Sequence, residues 1–507
     1  MPARRADPQP RLIAAGATGD PFELTLYLKP PGRARAPPGS EIDLDDLTRR
    51  TVTREELEAE RQSAFAEPIA ALRRFAELTG LDFIDIDPLR CQVHIRVPAA
   101  IVERVLGIRM GLVEHFGALF RCPLQPLEIP PPLAAFVQAI VGLDERPYVR
   151  KLRSMVGGGT GTGLTPAAIA ALYGLAAPRR GAGECIAIIE PAGGYKPEDL
   201  AAACQAMNVP VPAIVDVAVH GGRNNFGQNA QFDEEVSLDV QVAAGVAPAA
   251  RIAVYFTTNT ERGLADAVAA AVHDKVNRPS VVVMTWGEAE GLFPKQARIA
   301  MDSALADAVK LSVTVVAAAG DDFATEQMND GKAHVDYPAS SPYVLGCGGT
   351  TITLDGAGSA IASEVVWNDG FTGTGGGISD LYQVPGFQKS VTLPNSSNDG
   401  GKRRGVPDVA ATAAAFNGYR VMLNGTPVVA SGTSAVVALA NAERGKPLGF
   451  LNTRLYQQAT LLHPIASGNN IQNGTTIGYQ AGPAWSACTG LGVPKGADLI
   501  RALTAVA

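Results

Sequence analysis

Five short apolar runs, at residues 185–189, 252–256, 280–286, 313–319 and 343–347, lack the in-out alternation of a strand with one wet face. Strands buried on both faces need cover above and below, and helical segments at 264–276 and 297–311 stand between them to supply it. This pattern predicts a parallel sheet with helical crossovers, an α/β domain. Residues 419–430 read as a hairpin turning at Asn424-Gly425, a pair suited to two positive φ angles. That hairpin runs directly to Ser434, in the string Ser-Gly-Thr-Ser-Ala at 431–435.

The N-terminal part follows a different rule. Glu23-Leu-Thr-Leu-Tyr-Leu alternates as a strand, residues 64–81 have helical apolar spacing, and 83–86 and 92–97 alternate around Pro88. Residues 99–108 are helical again, and a further strand and helix complete the reading to 143. The order suits a small α+β sandwich of the split βαβ kind. Seven residues, 157–163, five of them glycine, then intervene; they lack both phosphate-loop spacings and read as a flexible, cleavable linker.

Charge narrows the function. The first 155 residues are balanced, so the remainder carries the whole net charge of −7, which argues against a nucleic-acid partner. No stretch reaches the length of a membrane span, and no secretory signal is recognisable behind Met1-Pro-Ala-Arg-Arg. The six cysteines show no zinc spacing and read as buried free thiols.

A Gly-Thr-Ser turn feeding an apolar helix presents the Ser434 hydroxyl at a helix N-terminus, where developing negative charge is favoured. Serine attacks well only when a neighbouring base takes its proton. None of the histidines is placed to be that base. His220 precedes a polar Gly-Gly loop, His273 reads as a surface residue, and His334 sits near Asp336 at a cleft rim. Glu235 and Asp239, four residues apart, share one helix face. An isolated pair of this kind is usually a solvated edge, but this one runs into Ala243-Ala-Gly-Val-Ala-Pro, apolar on nearly every side. Two carboxylates held close split their acidities and share a proton. Asp321 follows the apolar strand at 313–320; it reads either as an ordinary turn acid or, since this strand end resembles the oxyanion position of subtilisin-type proteases, as an oxyanion donor, which an aspartate can be only when protonated.

These residues resemble the sedolisin (serine-carboxyl peptidase) family, in its kumamolisin-like branch. The likeness also runs through Ile188-Ile-Glu-Pro-Ala-Gly-Gly-Tyr195, Thr285-Trp-Gly287, Asp336-Tyr-Pro-Ala339, Val366-Trp-Asn-Asp369, Arg404-Gly-Val-Pro-Asp-Val409 and Thr489-Gly-Leu-Gly-Val-Pro494. It implies a subtilisin-like catalytic domain behind a ferredoxin-like activation prodomain, divided as tail 1–20, prodomain 21–155, processing linker 156–164 and peptidase 165–507. It makes Ser434 the nucleophile, Glu235 the base, Asp239 its orienter and Asp321 the oxyanion-hole acid, with Glu190 and Trp286 as supporting members. The expected activity is acid endopeptidase action on protein or peptide substrates, released from a zymogen inhibited by its own prodomain. An extracellular location is expected from the resemblance. The rival expectation is a silent pseudopeptidase that binds peptides in its cleft.

Two departures stand out. The family's calcium site uses two aspartates, and the matching positions here are Pro464 and Ser486, so no metal cofactor is expected; Asn469, Asn470 and Asn473 are the nearest other side-chain oxygens. The stretch from Ser434 to Gly445 is also shorter than in the family by about seven residues, or two helical turns, and Ala438 replaces a usual proline.

Overall fold

A computed structural model describes residues 10–31, 44–49, 51–148, 163–175, 179–326, 328–430 and 445–505. The N-terminal unit is built on an antiparallel sheet whose order is Asp82–Asp87, Gln92–Val97, Phe22–Leu28, Val137–Val141. With helices Ala66–Thr79 and Ala99–Leu106 in its crossovers, it has the expected ferredoxin-like βαββαβ order. Alternation along Phe22–Leu28 explains the layering. Leu24, Leu26 and Leu28 pack with Leu72, Ala76, Val102 and Leu106, while Tyr27 turns to the larger core on the other face.

Three elements here differ from the sequence reading. The unit closes on the strand Val137–Val141 rather than a helix, because Pro130, Pro131 and Pro132 break the run and the β-branched residues after them pair with Phe22–Leu28. Residues 1–20 are not all tail: Arg11–Ala15 is a strand paired with Met110–His115, which pairs in turn with Ala118–Pro123. The helix Arg54–Ala64 was not foreseen, although Thr53 and Glu56 form a reciprocal capping box at its start.

The larger unit has its strands in the order Ile361–Val366, Leu345–Leu354, Thr314–Ala318, Val281–Met284, Cys185–Glu190, Arg251–Phe256, Ile214–Ala218, with Val409–Thr412 also on Leu345–Leu354. All pairings are parallel except that of Ile361–Val366. The five apolar runs read from the sequence are all strands of this sheet, and the hairpin turns where expected, Asn424 and Gly425 both having positive φ. Helices Glu261–His273 and Lys295–Lys310 cover one face and receive the N-terminal sheet. The six cysteines are free and buried. Among the described residues no helix is long and apolar enough to cross a membrane.

Candidate active site

In an open parallel sheet the carboxyl ends of the strands face the crevice where ligands bind. Glu190 is the last residue of Cys185–Glu190, Thr285 and Trp286 follow Val281–Met284, and Gly320-Asp321 follow Thr314–Ala318. These are three neighbouring strands. The helix Ala230–Val246 carries the other two acids; Asn229 caps it by accepting from the Gln231 and Phe232 N–H groups. Glu235 and Asp239 are both buried, so the solvated-edge reading fails for them.

The Trp286 Nε1–H donates to Glu190 Oε2 at 2.8 Å, and the indole stacks on Phe232 one turn before Glu235. The Thr285 hydroxyl donates to Asp239 Oδ2 at 2.6 Å. Glu190 Oε1 finds no donor among the described residues, and Asp239 is the neighbouring buried acid that acts most strongly on it, an arrangement in which the pair favours one shared proton. Burial, and then the Asp239 charge, push Glu190 well above the usual carboxyl range. Burial pushes Asp239 up to about 7 against the opposing pull of the Thr285 and Glu190 hydrogen bonds. Glu235 adds its charge to the same group, so the structure brings Glu190, Glu235, Asp239 and Trp286 together.

Asp321 is buried at the end of the adjacent strand, its carbonyl accepting from Gly373 N–H at 2.9 Å. Gly320 has φ of +100°, and a Cβ there would lie 2.5 Å from Glu326 Oε1 and 2.9 Å from Asp336 Oδ2, so only glycine fits. Glu326, which the sequence reading missed, is pushed well above the usual range by burial and by Asp336, Asp322 and Asp321. Nothing in the residues around Glu326 forms a pattern that would have marked it.

Ser434 and the shortened stretch after it lie outside the described residues, as does the linker up to residue 162. The three histidines weighed as bases are engaged with other acids. His334 pairs with Asp330 at 3.0 Å, and His220 pairs with Asp266. His273 is not a surface residue: it is fully buried, 3.0 Å from Asp307, because the N-terminal unit covers its helix.

Three buried acids of the larger unit take polar contacts from that cover. Arg61 donates to both Asp307 oxygens at 2.7 Å, with side-chain exposures of 1% and 2%. Asp266 accepts from Tyr27 at 2.6 Å, Thr25 at 2.7 Å and Gln92 at 2.9 Å. Glu261 accepts from the N–H groups of Gly142, Leu143 and Asp144 at 3.0–3.3 Å. Beyond these, the Tyr148 N–H donates to Asn259 at 3.1 Å, and after the linker Leu164 pairs with the Tyr419 hairpin.

The chain is 40% identical to kumamolisin of Bacillus sp. (strain MN-32) over 464 residues, covering 87% of this chain and 84% of that one. The chain belongs to the sedolisin family. Residues 217–445 match the subtilase family. Sedolisin of Pseudomonas sp. (strain 101) is 28% identical over 460 residues, 84% of this chain and 76% of that one. Human tripeptidyl-peptidase 1 is 28% identical over 423 residues, 75% and 72% of the two chains. The solved structure of Pseudomonas sedolisin, a serine-carboxyl proteinase with two molecules of pseudo-iodotyrostatin, superposes with a TM-score of 0.60 at 27% identity. The match takes in 68% of this chain and 99% of that one. This sedolisin-family member is therefore a serine-type peptidase with a subtilisin-like α/β fold, and its substrates are proteins or peptides.

The residues at the family's calcium position do not suit a dication. Pro464 has no side-chain oxygen. The Ser486 hydroxyl accepts from Thr489 N–H at 3.2 Å and lies 3.1 Å from the Thr489 hydroxyl. Asn470 Oδ1 accepts from Tyr479 N–H at 2.8 Å and Asn469 Oδ1 from Ile471 N–H at 3.0 Å, while Asn473 turns its amide N–H to the Gly370 carbonyl. A neutral donor set already engaged with N–H groups offers calcium little.

Proposed function

We propose that the chain is the zymogen of an acid-acting endopeptidase in which Ser434, Glu235 and Asp239 form the triad and Asp321 the oxyanion-hole acid. The observation that carries this reading is the buried Glu190–Asp239 carboxyl pair one helical turn from Glu235. Such a pair holds protons through the acid range, so Asp239 can donate its own to an ionised Glu235 and orient it as the base.

As Ser434 Oγ bonds to the scissile carbonyl carbon, its proton passes to Glu235, and the carbonyl π pair moves to oxygen. A protonated Asp321 donates to that oxyanion. Glu235 then protonates the leaving amine as the C–N bond breaks, leaving an acyl-enzyme. Water repeats the sequence in reverse order, with Glu235 taking its proton, and frees Ser434. The docked prodomain, whose exit at Tyr148 leads to the linker, supports an inhibited precursor cut in or near residues 157–163. The calcium of the family is absent from this mechanism.

At about pH 4, where an ordinary glutamate is half ionised, the full-length chain is expected to lose its N-terminal unit and digest casein. Ser434→Ala should stay intact. Glu235→Gln should lose on the order of a hundredfold or more in turnover, while His220→Ala and His334→Ala of the processed enzyme keep most of theirs. Clipping of Ser434→Ala at the same site and rate in protease-free solution would end the self-processing reading. A folded histidine variant without turnover would replace the carboxyl mechanism with a conventional triad.

A further inference from the structure

Two consecutive residues leave the end of the Val281–Met284 strand and serve the two members of the carboxyl pair, Trp286 donating to Glu190 and Thr285 to Asp239. Trp286 has a role in the sequence reading; Thr285 has none. We propose that Thr285 is a positioning residue of the peptidase: its hydroxyl fixes one oxygen of Asp239, leaving the other to serve Glu235. The proposal rests on the triad reading above.

The geometry carries it. At 2.6 Å the Thr285 hydroxyl makes a short hydrogen bond to the Asp239 carboxyl. Both partners are buried, at 5% and 6% exposure, so water does not replace the donor if it is lost. The hydroxyl is also held in advance. Its strand is paired on both sides, Val281–Val283 with Ile186–Ile188 and Val281–Met284 with Thr314–Ala317, and a β-branched residue has little χ1 freedom.

The charges around Asp239 give the bond its leverage. Asp239 is faced by Glu190 from the neighbouring strand and by Glu235 on its own helix, and neither brings a positive charge. Against the cost of burial, the Thr285 hydrogen bond is the largest influence favouring the ionised carboxylate, ahead of Glu190. Removing that donor therefore moves the Asp239 pKa further up. It also frees the carboxyl to rotate, so that the oxygen meant for Glu235 is no longer chosen. A threonine that served packing alone would not alter either property.

The test compares Thr285→Ser and Thr285→Ala in the full-length, self-processed enzyme. Both lose the same methyl and differ only in the hydroxyl. Thr285→Ala is expected to lower kcat by about tenfold or more, with KM within twofold, and to move the alkaline limb of the kcat–pH profile upward. Thr285→Ser should restore both. Asp239→Asn is run alongside. If Thr285→Ala matches Thr285→Ser in kcat and in its limb while Asp239→Asn loses turnover, Thr285 is packing and the proposal is wrong. If Asp239→Asn keeps turnover, the triad reading fails instead.

Discussion

The pairing of Arg61 with Asp307 gives the sharpest test of how the prodomain is held. Arg61→Met keeps much of the arginine's length and apolar contact but removes both bonds to Asp307, together with the one from Arg61 to the Leu89 carbonyl. Among the described residues Asp307, at 2% exposure, then keeps His273 as its side-chain hydrogen-bond partner. Removing one member of a buried pair costs about 3–5 kcal/mol because the other charge stays buried. With His273 still in place we take the lower end, about 3 kcal/mol, or on the order of a hundredfold in the ratio of open to docked forms.

The assay is hydrogen exchange of the Phe22–Leu28 and Val137–Val141 amides in full-length Ser434→Ala, which removes the proposed nucleophile. Arg61→Met should speed exchange by about that hundredfold. Arg61→Met with Asp307→Leu should recover most of it, since an apolar pair leaves no charge stranded. Burial alone would raise the Asp307 carboxyl, but the Arg61 charge and the His273 hydrogen bond hold it well below the usual range. A depressed carboxyl contributes docking strength above its undocked value and loses it only as pH falls through the docked one. The contribution of the Asp307 carboxyl to docking in the intact pair should therefore be equal at about pH 7 and pH 5, both above an ordinary aspartate value. Equal exchange in Arg61→Met and its parent would refute the reasoning, as would a cycle in which the two substitutions simply add.

Two other interface groups titrate with opposite signs. Burial holds His94 below the usual histidine value despite Asp266, so the docked form binds fewer protons there and docking weakens as pH falls below about 6.5. Burial and Asp144 push Glu261 up to about 7, so docking at that group gains as pH falls from there toward an ordinary carboxyl value. His94→Gln should accordingly delay acid release of the prodomain, while Glu261→Gln, which mimics the protonated acid, should tighten docking near pH 7 and leave it unchanged at about pH 4, read by the same exchange experiment; the opposite shifts would reject both assignments. For calcium, the melting temperature in millimolar metal should equal that in chelator at a pH where carboxylates are charged. A real site would add about 2.7 kcal/mol at a hundredfold excess over Kd, so a rise of several degrees would show one rebuilt from other oxygens.

What the sequence made legible follows from how local each signal is. The sheet strands announced themselves because burial on both faces leaves a run such as Ile186–Ile188 with no polar position, a property visible within a few residues. Glu235 and Asp239 were legible because four residues of helix bring them to one face. Thr285 was not, since a threonine after Val-Val-Val-Met satisfies strand preference whether or not it bonds an acid. His273 misled for a related reason. Polar residues on the outer face of a helix read as solvated, and Asp266 and His273 are polar positions on one that faces the prodomain. Their partners lie far off in sequence, Asp307 at a separation of 34 from His273 and Tyr27 at 239 from Asp266. In the proposed zymogen this face must be stable in water after the N-terminal unit leaves and satisfied beneath it before then, so it has to carry polar groups in both states. Periodicity cannot tell such a face from a permanently wet one. The distinction lies in the facing groups of the N-terminal unit, Arg61 and Tyr27, buried polar side chains whose acidic partners, Asp307 and Asp266, lie in the other unit.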